Sequence, residues 1–458
     1  MKYSKAYTSS RARAQVRPDD AKEERKVAET AMVVRYGFTS DDVEWLPYAQ
    51  NRMSQALRMS GASMVYGSYI DVLEDGSERQ HPAGEHLFGS VRDDFDFGAL
   101  LCVDKALAAD AMKKAEAVYY KSFGKSLSIT ADKGQYLWWL MMRHEGNGVI
   151  MLPETLYRLK LKDARDSGAK QHDYVSPASR EYQRDMESEF TAYLNYLGAL
   201  LKSRPLRVNV TEGHFEFEAS VIIPVRNRVG TIADAVRSAL SQKTDFIFNV
   251  IVVDNASTDG TSEILSKLAQ EDDRLYIYEV AAEEGLGIGG CWNRALMSEH
   301  CGRFAVQLDS DDVYDGEGVL KRIVNKFHIE KCGMVVGSYT LTDNELNEIE
   351  PGLIAHKEWT PLNGRNNLLR INGMGAPRAF YTPLARHILF PNVSYGEDYA
   401  MALTISSRYY VGRIYESLYH CRRWKGNSDA ALSVEQVNAH NLYKDTLRTI
   451  ALRHRMKK

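Results

Sequence analysis

The stretch that decides the fold is residues 219–260, ASVIIPVRNRVGTIADAVRSALSQKTDFIFNVIVVDNASTDG. Two apolar runs rich in β-branched residues, 219–225 and 249–253, flank a segment, 231–241, with apolar residues at helical spacing. This order predicts two parallel strands joined by a crossover helix. Polar residues follow each predicted strand, at the carboxyl edge where ligands bind in sheets of this kind.

The same alternation continues toward the C-terminus. The predicted elements are a helix at 261–270, a third strand at 275–280, a helix at 291–300 and a fourth strand at 303–308. They indicate an α/β fold, with a parallel sheet covered by helices on both faces. Polar groups follow three of the strands and form a candidate ligand site: Pro224, Val225, Arg226 and Asn227; Asp254; and Asp309, Asp311 and Asp312.

The third of these groups is the most unusual. RFAVQLDSDDVYDGEG, residues 303–318, crowds Asp309, Asp311 and Asp312 at the end of the fourth strand. Mg²⁺ and Mn²⁺ favour oxygen ligands, and Mg²⁺ takes one or two carboxylates together with substrate phosphates. We therefore expect a Mn²⁺ or Mg²⁺ site at Asp309 and either Asp311 or Asp312. The alternative is a solvated turn with helix-capping aspartates.

Two other interpretations of these loops conflict with the chain order. Three glycines satisfy the GxGxxG pattern of dinucleotide sites: Gly285, Gly287 and Gly290. In such sites the glycines directly follow the first strand, whereas here residues 281–284 separate them from the third, so we expect a flexible loop beside the site. LDSDDV also resembles the nucleophile loop of haloacid-dehalogenase-type phosphatases, but that loop follows the first strand rather than the fourth.

Residues 391–432 contain further candidates. Glu397 and Asp398 begin a predicted helix, whose dipole favours an ionised carboxylate. A carboxylate kept ionised beside a hydroxyl is a candidate general base. Arg422 and Arg423 lie in a basic run, and arginine pairs bidentately with phosphate oxygens. The alternatives are ordinary first-turn helix chemistry and a solvated charge run.

Taken in order, SVIIPVRNR, VIVVDNASTDGT, QLDSDD, GED and CRRWKGNSD resemble family 2 glycosyltransferases of the GT-A fold, over about residues 218–432. The resemblance implies a Rossmann-like mixed sheet with helices on both faces. The resemblance implies inverting transfer of a sugar from a UDP- or GDP-sugar donor to a glycan or lipid-linked acceptor, with Mn²⁺ or Mg²⁺. It also implies bacterial surface-glycan synthesis as the setting. The alternative is a non-catalytic sugar-nucleotide-binding or scaffolding subunit.

The resemblance implies a role for each matching residue: base and ribose at Pro224 and Asp254, metal and diphosphate at Asp309 and Asp311, and the general base at Asp398. Family members often have an Arg-Asn pair in the helix before the DxD strand. Here Trp292 and Asn293 occupy that place, so Asn293 is a candidate donor contact and the diphosphate contacts differ locally.

The N-terminal half contains short sequence matches to the C-terminal half, which indicate an internal repeat. Residues 64–69 read MVYGSY and 334–339 read MVVGSY, while PETLY at 153–157 matches YESLY at 415–419. Too few residues precede the first copy to hold both strand–helix units that open the second. When the two copies are aligned on these matches, Tyr136 stands in the place of Asp398, and the first copy lacks the DxD. We expect a degenerate acceptor-side module that cannot catalyse and that packs, holds acceptor or dimerises.

The predicted organisation has five parts: an N-terminal extension (1–45), a degenerate GT-A-like half-module (46–165), a linker with a long helix (166–215), a catalytic GT-A domain (216–432) and a C-terminal helix (433–458). The long helix is predicted at 178–202. Its apolar stripe suggests that it joins the two modules.

Composition restricts the class of protein. The chain of 458 residues has a net charge of -3, 44% apolar and 26% charged residues, without the basic excess of a nucleic-acid binder. No apolar run approaches the roughly 20 residues that span a bilayer, and the N-terminus lacks the apolar core of a secretory signal. The five cysteines are scattered without a CxxC pair. We expect a cytoplasmic protein, free or peripheral at a membrane.

Overall fold

The computed structural model describes residues 29–35, 37–127, 134–161, 179–357, 359–360, 363–424, 427 and 431–457. Within these residues the chain forms a six-stranded sheet from its N-terminal half and a nine-stranded sheet from its C-terminal half. Most of the predicted N-terminal extension and residues 166–178 of the predicted linker lie outside the described residues. The predicted domain boundaries stay predictions.

The N-terminal module contains β1 (Thr30–Val34), β2 (Val43–Trp45), α1 (Ala49–Ser60), β3 (Met64–Val72), β4 (Glu78–His81), β5 (Leu100–Asp104), α2 (Lys105–Phe123), α3 (Gln135–Met142), β6 (Val149–Lys160) and α4 (Ser179–Tyr196). Its strand order is β1-β5-β3-β6-β2, with β4 paired to β3. The predicted long helix ends at Tyr196, before the left-handed Gly198. Glycine is favoured at this backbone conformation.

The C-terminal module contains β7 (Ala219–Val225), α5 (Ile232–Leu240), β8 (Phe248–Asn255), α6 (Thr261–Glu271), β9 (Leu275–Val280), α7 (Ile288–Leu296), β10 (Phe304–Gln307), β11 (Val313–Tyr314), α8 (Val319–Glu330), β12 (Met334–Thr342), β13 (Glu348–Ile354), α9 (Gly364–Asn367), β14 (Arg378–Tyr381), α10 (Thr382–Ile388), α11 (Glu397–Arg408), β15 (Val411–Arg422) and α12 (Val434–Met456). Its strand order is β11-β15-β12-β14-β10-β7-β8-β9, with β13 paired to β12.

The predicted mixed α/β architecture is confirmed. The four predicted strands are β7, β8, β9 and β10, and they pair in parallel. Antiparallel β14 continues the sheet beside β10. Because helices cover both faces, β7 and β8 are buried almost throughout, which explains their continuous apolar runs. The carboxyl ends of β7, β8 and β10 therefore meet at one edge, as expected.

The glycine-rich turn packs closely, whereas the sequence predicted a flexible loop. Helix α7 begins at Ile288, three residues earlier than expected, so it includes Gly289 and Gly290. A Cβ atom added at Gly287 or Gly289 would overlap backbone atoms of Val393 and Pro391. These glycines let α7 approach the segment that leads to α11.

The internal repeat is also present in the strand registers of the two sheets. Strand β3 pairs in parallel with β6, and β12 pairs in parallel with β15. The register slips at the same place in both pairs, around Ser68 opposite Thr155 and around Ser338 opposite Ser417. An irregularity repeated at matching positions is strong support for an internal duplication.

Candidate active site

The aspartate-rich loop begins where β10 ends. The Asp309 backbone N–H donates to the Tyr419 hydroxyl at 3.0 Å, and the Gln307 side-chain amide donates to the Asp309 carboxylate at 2.8 Å. The backbone N–H of Asp312 donates to the Asp309 carbonyl at 3.2 Å, which closes the turn. Strands β10 and β15 thus fix Asp309 from two sides.

Asp311 and Asp312 have different surroundings. Asp312 is 4% exposed, and its carboxylate accepts the backbone N–H of Arg422 at 2.8 Å. The Asp311 side chain is 15% exposed and lies 3.5 Å from Arg228 Nε, while Asn427 donates to it at 3.3 Å. Asp311 is thus the more accessible of the two carboxylates.

The crowding of these carboxylates affects their protonation. Burial raises the pKa of Asp309, and the nearby Arg378 opposes this shift. Burial, followed by repulsion from Asp309 and Asp311, raises the pKa of Asp312 well above its ordinary value. The cluster thus favours neutralisation by a proton or a cation.

Three buried donors surround the same loop. The atoms Arg228 Nε, Arg422 Nη2 and Trp424 Nε1 have no hydrogen-bond partner among the described residues. Arg422 is anchored because its Nε donates to the Asp311 carbonyl and its Nη1 lies 3.0 Å from the Asp234 carboxylate. Buried unpaired donors beside a carboxylate cluster suit an anionic ligand that arrives with a cation.

Glu397 and Asp398 form the first turn of α11, after the left-handed Gly396. Arg378 Nη1 lies 2.9 Å from the Asp398 carboxylate and also donates to the Gly375 carbonyl at 3.0 Å. The backbone N–H of Tyr399 donates to the other Asp398 oxygen at 2.6 Å. An ion pair and a backbone hydrogen bond therefore hold the Asp398 carboxylate in place.

Glu397 differs from its neighbour. Burial, followed by repulsion from Asp398, raises the pKa of Glu397 to about 8. Its Oε2 atom has no hydrogen-bond partner within the described part of the chain. At neutral pH Glu397 therefore retains its proton, while its neighbour is ion-paired.

The loops after β7 and β8 join at the predicted edge. The Asp254 carboxylate accepts the backbone N–H of Ser257 at 3.1 Å and the Ser262 hydroxyl, and Asp254 is 2% exposed. Asn227 accepts the backbone N–H of Thr258 at 2.8 Å. Contacts with a nucleotide-sugar donor at this edge stay predictions for the following residues: Pro224, Val225, Arg226, Asn227 and Asp254.

Asn293 and Arg423 lie in the surrounding framework. The Asn293 amide donates to the Phe390 carbonyl at 2.8 Å and accepts the Phe390 N–H at 2.9 Å, which holds the segment before α11. The Arg423 N–H donates to the Thr342 carbonyl at 2.8 Å. Contacts of Asn293 and Arg423 with a nucleotide-sugar donor also stay predictions.

The structure adds residues that the sequence did not reveal. Arg378, Gln307, Arg228 and Tyr419 all contact the predicted site residues. The one signal in the sequence is a lone arginine entering the apolar strand β14. Its partner Asp398 is on another element, so tertiary packing alone brings the two together.

The aspartates suit a cation shared with a ligand. Within the described ranges, no group of three or more His, Cys, Asp or Glu side chains could hold a metal ion. Two carboxylates nonetheless fit a Mg²⁺ or Mn²⁺ ion that takes its remaining ligands from phosphates and water. The same residues include no helix that is long and apolar enough to cross a membrane.

Comparison with known proteins confirms the predicted resemblance. Residues 220–384 match the model of glycosyl transferase family 2. The match includes Asp254 and residues 309–312 and ends before α11. The similarity to this family therefore lies within the C-terminal module.

Particular relatives include two named glycosyltransferases. The putative teichuronic acid biosynthesis glycosyltransferase TuaG of Bacillus subtilis is 35% identical over 123 residues, which are 27% of this chain and 46% of that protein. The glycosyltransferase AglD of Haloferax volcanii is 29% identical over 158 residues, 34% of this chain and 24% of that protein. The chain thus spans less than half the length of either relative.

Similar solved structures include two transferases. S. aureus TarS 1-349 in complex with UDP has a TM-score of 0.39 and 21% identity, and the match covers 51% of this chain and 65% of that one. The mannosyltransferase PcManGT from Pyrobaculum calidifontis in complex with GDP-Man and Mn2+ has a TM-score of 0.37 and 17% identity. That match covers 59% of this chain and 84% of the other.

Proposed function

We propose that this protein is an inverting, metal-dependent glycosyltransferase that moves a sugar from a nucleoside-diphosphate donor to a hydroxyl acceptor. One observation carries the proposal. Gln307 donates to Asp309 and accepts the backbone N–H of Arg378 at 3.1 Å, and the Arg378 side chain pairs with Asp398. A candidate metal ligand and a candidate base are thereby held in one bonded unit.

On the donor side, Asp309 and Asp311 would hold the Mn²⁺ or Mg²⁺ ion. A bound cation supplies Lewis-acid neutralisation of the charge on the leaving diphosphate. Asp311 is favoured over Asp312 because Asp312 is more buried and accepts a backbone N–H. Arg228 Nε and Arg422 Nη2, which make no hydrogen bond to the described residues, are suited to the diphosphate oxygens.

On the acceptor side, Asp398 removes the proton from the attacking hydroxyl as that oxygen bonds to the anomeric carbon. The nucleoside diphosphate leaves from the opposite face, so a single displacement inverts the configuration. Arg378 orients Asp398 for this step. Glu397, which keeps its proton at neutral pH, is unsuited to act as the base.

The biological setting follows from the relatives. One relative, TuaG, is named as a putative teichuronic acid biosynthesis glycosyltransferase. We therefore assign this chain a glycan or lipid-linked acceptor and a cytoplasmic location, free or peripheral at the membrane. The donor is a UDP- or GDP-sugar, and a homodimer through the N-terminal module is part of the same proposal.

The direct test is turnover of a panel of UDP- and GDP-sugars by the purified full chain with Mn²⁺, with and without excess EDTA. We expect nucleoside diphosphate release from at least one donor, and its loss in EDTA. Turnover that persists unchanged in EDTA contradicts metal dependence. Saturable binding of a sugar nucleotide without turnover, with water or glycan acceptors, supports the alternative of a non-catalytic binding subunit.

A further inference from the structure

Two loops in equivalent positions of the two modules meet each other. Strand β5 pairs with β3 so that Val103 lies opposite Met64, and β14 pairs with β12 so that Phe380 lies opposite Met334. Counting back along the chain from these strands aligns residues 90–96 with residues 367–373. The loop that precedes β5 is therefore the counterpart of the loop that precedes β14.

At the centre of this junction, equivalent residues pair with each other. Asp93 aligns with Arg370, and the two form an ion pair. The Arg370 side chain is fully buried, and its Nη1 also donates to Gln183 of α4 at 2.8 Å. Contact between equivalent positions is typical of an interface with two-fold symmetry, so the modules associate like the halves of a dimer.

The loop on the catalytic side is held from several directions. Asn372 donates to the Asp94 carboxylate at 3.0 Å, and Lys444 of α12 donates to the Asn372 carbonyl at 2.7 Å. The hydroxyl of Tyr399 donates to the Leu368 carbonyl at 2.6 Å. Tyr399 directly follows Asp398, so this loop is bonded to the turn that carries the candidate base.

The other end of the loop reaches the same base. The Gly375 carbonyl accepts Arg378 Nη1 at 3.0 Å, and that guanidinium also pairs with Asp398. Residues 368–375 therefore contact the turn that carries Asp398 at both ends, through Tyr399 and through Arg378. The N-terminal module reaches this segment through Asp93 and Asp94.

We propose that Asp93 is a positioning residue for the acceptor side of the active site. Through Arg370 it fixes residues 368–375, which in turn fix Arg378 and Asp398. This inference rests on the proposed function, because it gives the degenerate module a part in orienting the base. Positioning of this kind affects the chemical step more than donor binding, since residues 368–375 include none of the candidate donor groups.

The test compares Asp93→Asn with the wild-type chain, using hydrolysis of UDP-glucose and GDP-mannose with Mn²⁺. Water is then the acceptor and still requires the base. We expect kcat to fall about tenfold, with the donor KM unchanged. Equal losses in kcat and in donor affinity, or an unchanged kcat, would overturn the inference.

A paired variant guards against misfolding, because Asp93→Asn leaves the buried Arg370 cation without its partner. Asp93→Leu combined with Arg370→Met removes both charges, and we expect the same fall in kcat. Full activity of this paired variant contradicts a positioning role for the ion pair. The control is Asn438→Ala, which removes another contact between the modules, to the Pro82 carbonyl. We expect it to retain wild-type kcat.

Amide hydrogen exchange gives a readout that does not depend on turnover. Residues 368–376 and 397–400 should exchange faster in Asp93→Asn and in the paired variant than in wild type or Asn438→Ala. A wild-type chain that turns over no sugar nucleotide overturns the proposed function. Unchanged exchange in both segments overturns the structural link from Asp93 to the base.

Discussion

The two modules share a framework and differ in the side chains placed on it. In each, a helix of 12 residues, α1 or α8, leads into the strand that carries the GSY sequence. In each, a basic side chain at the end of the last strand donates to an aspartate carbonyl: Lys160 to Asp41 at 2.9 Å, and Arg422 to Asp311. The first module therefore has the same kind of side-chain contact as the second at this position.

The loops before these helices show what was lost. Residues 39–43 read TSDDV and 309–313 read DSDDV, so Thr39 stands where the second module has Asp309. The carboxylate of Asp42 accepts both the backbone N–H and the hydroxyl of Thr39, at 2.7 and 2.8 Å. The first loop therefore binds itself, and its geometry survives without the paired carboxylates.

The acceptor side differs in the same way. Leu101 occupies the strand position of Arg378, and Tyr136 occupies the helix position of Asp398. Tyr136 is buried, and its hydroxyl donates to the Val91 carbonyl. The comparison shows that the fold alone does not define the site. A few charged side chains distinguish a candidate active site from a structural copy, and the predictions below exchange them one at a time.

The largest effect is expected for Asp309→Thr, which gives the second module the residue of the first. Loss of a metal ligand removes several kcal/mol of charge stabilisation, or about a thousandfold in turnover. The measurement is Mn²⁺-dependent donor hydrolysis. The matched control, Thr39→Asp, should leave turnover unchanged. Activity retained by Asp309→Thr would contradict the assignment of Asp309 as a metal ligand.

A smaller effect is expected for Arg378→Leu, the residue of the first module at this position. Without the guanidinium, Asp398 loses its ion-pair partner and its orientation, so kcat should fall about a hundredfold with little change in donor KM. Arg378→Lys keeps the charge and should lose less than the leucine variant. Equal activity of the leucine variant and wild type contradicts a link between Arg378 and the base.

The smallest effect concerns stability. Folding raises the pKa of Glu397 from 4.5 to about 8, so the folded state binds this proton more tightly than the unfolded state. Its contribution is fully present below about pH 4.5 and is lost as the pH rises through about 8. Glu397→Gln introduces the first-module residue, Gln135, and should flatten the fall in Tm between pH 5 and 9. Parallel curves for variant and wild type contradict this.

Much of the framework could be predicted from the sequence. Continuous apolar runs identified β7, β8, β9 and β10, because strands buried on both faces need no alternation. Strand–helix alternation then located the ligand edge, and the repeated GSY sequence revealed the duplication. These features depend on local patterns, which a single sequence contains.

The rest depends on contacts between distant segments. Arg378 meets Asp398 only because β14 and α11 pack together, and no spacing in the sequence indicates that. The difference between Asp311 and Asp312 depends on the backbone N–H of Arg422 in β15. The close packing of Gly287 could not be predicted without knowing that the backbone of Val393 lies against it. Side-chain partners of this kind are set by tertiary structure.

Asp398→Asn tests most directly whether Asp398 of the second module acts as the base. The measurement combines turnover of the active sugar nucleotide with calorimetric binding of the corresponding nucleoside diphosphate in Mn²⁺. We expect turnover reduced at least about a thousandfold, with nucleotide affinity within about twofold of wild type, because Asp398 is assigned to the acceptor hydroxyl and not to the metal or the diphosphate. Retained turnover, or a parallel loss of nucleotide binding, would contradict it.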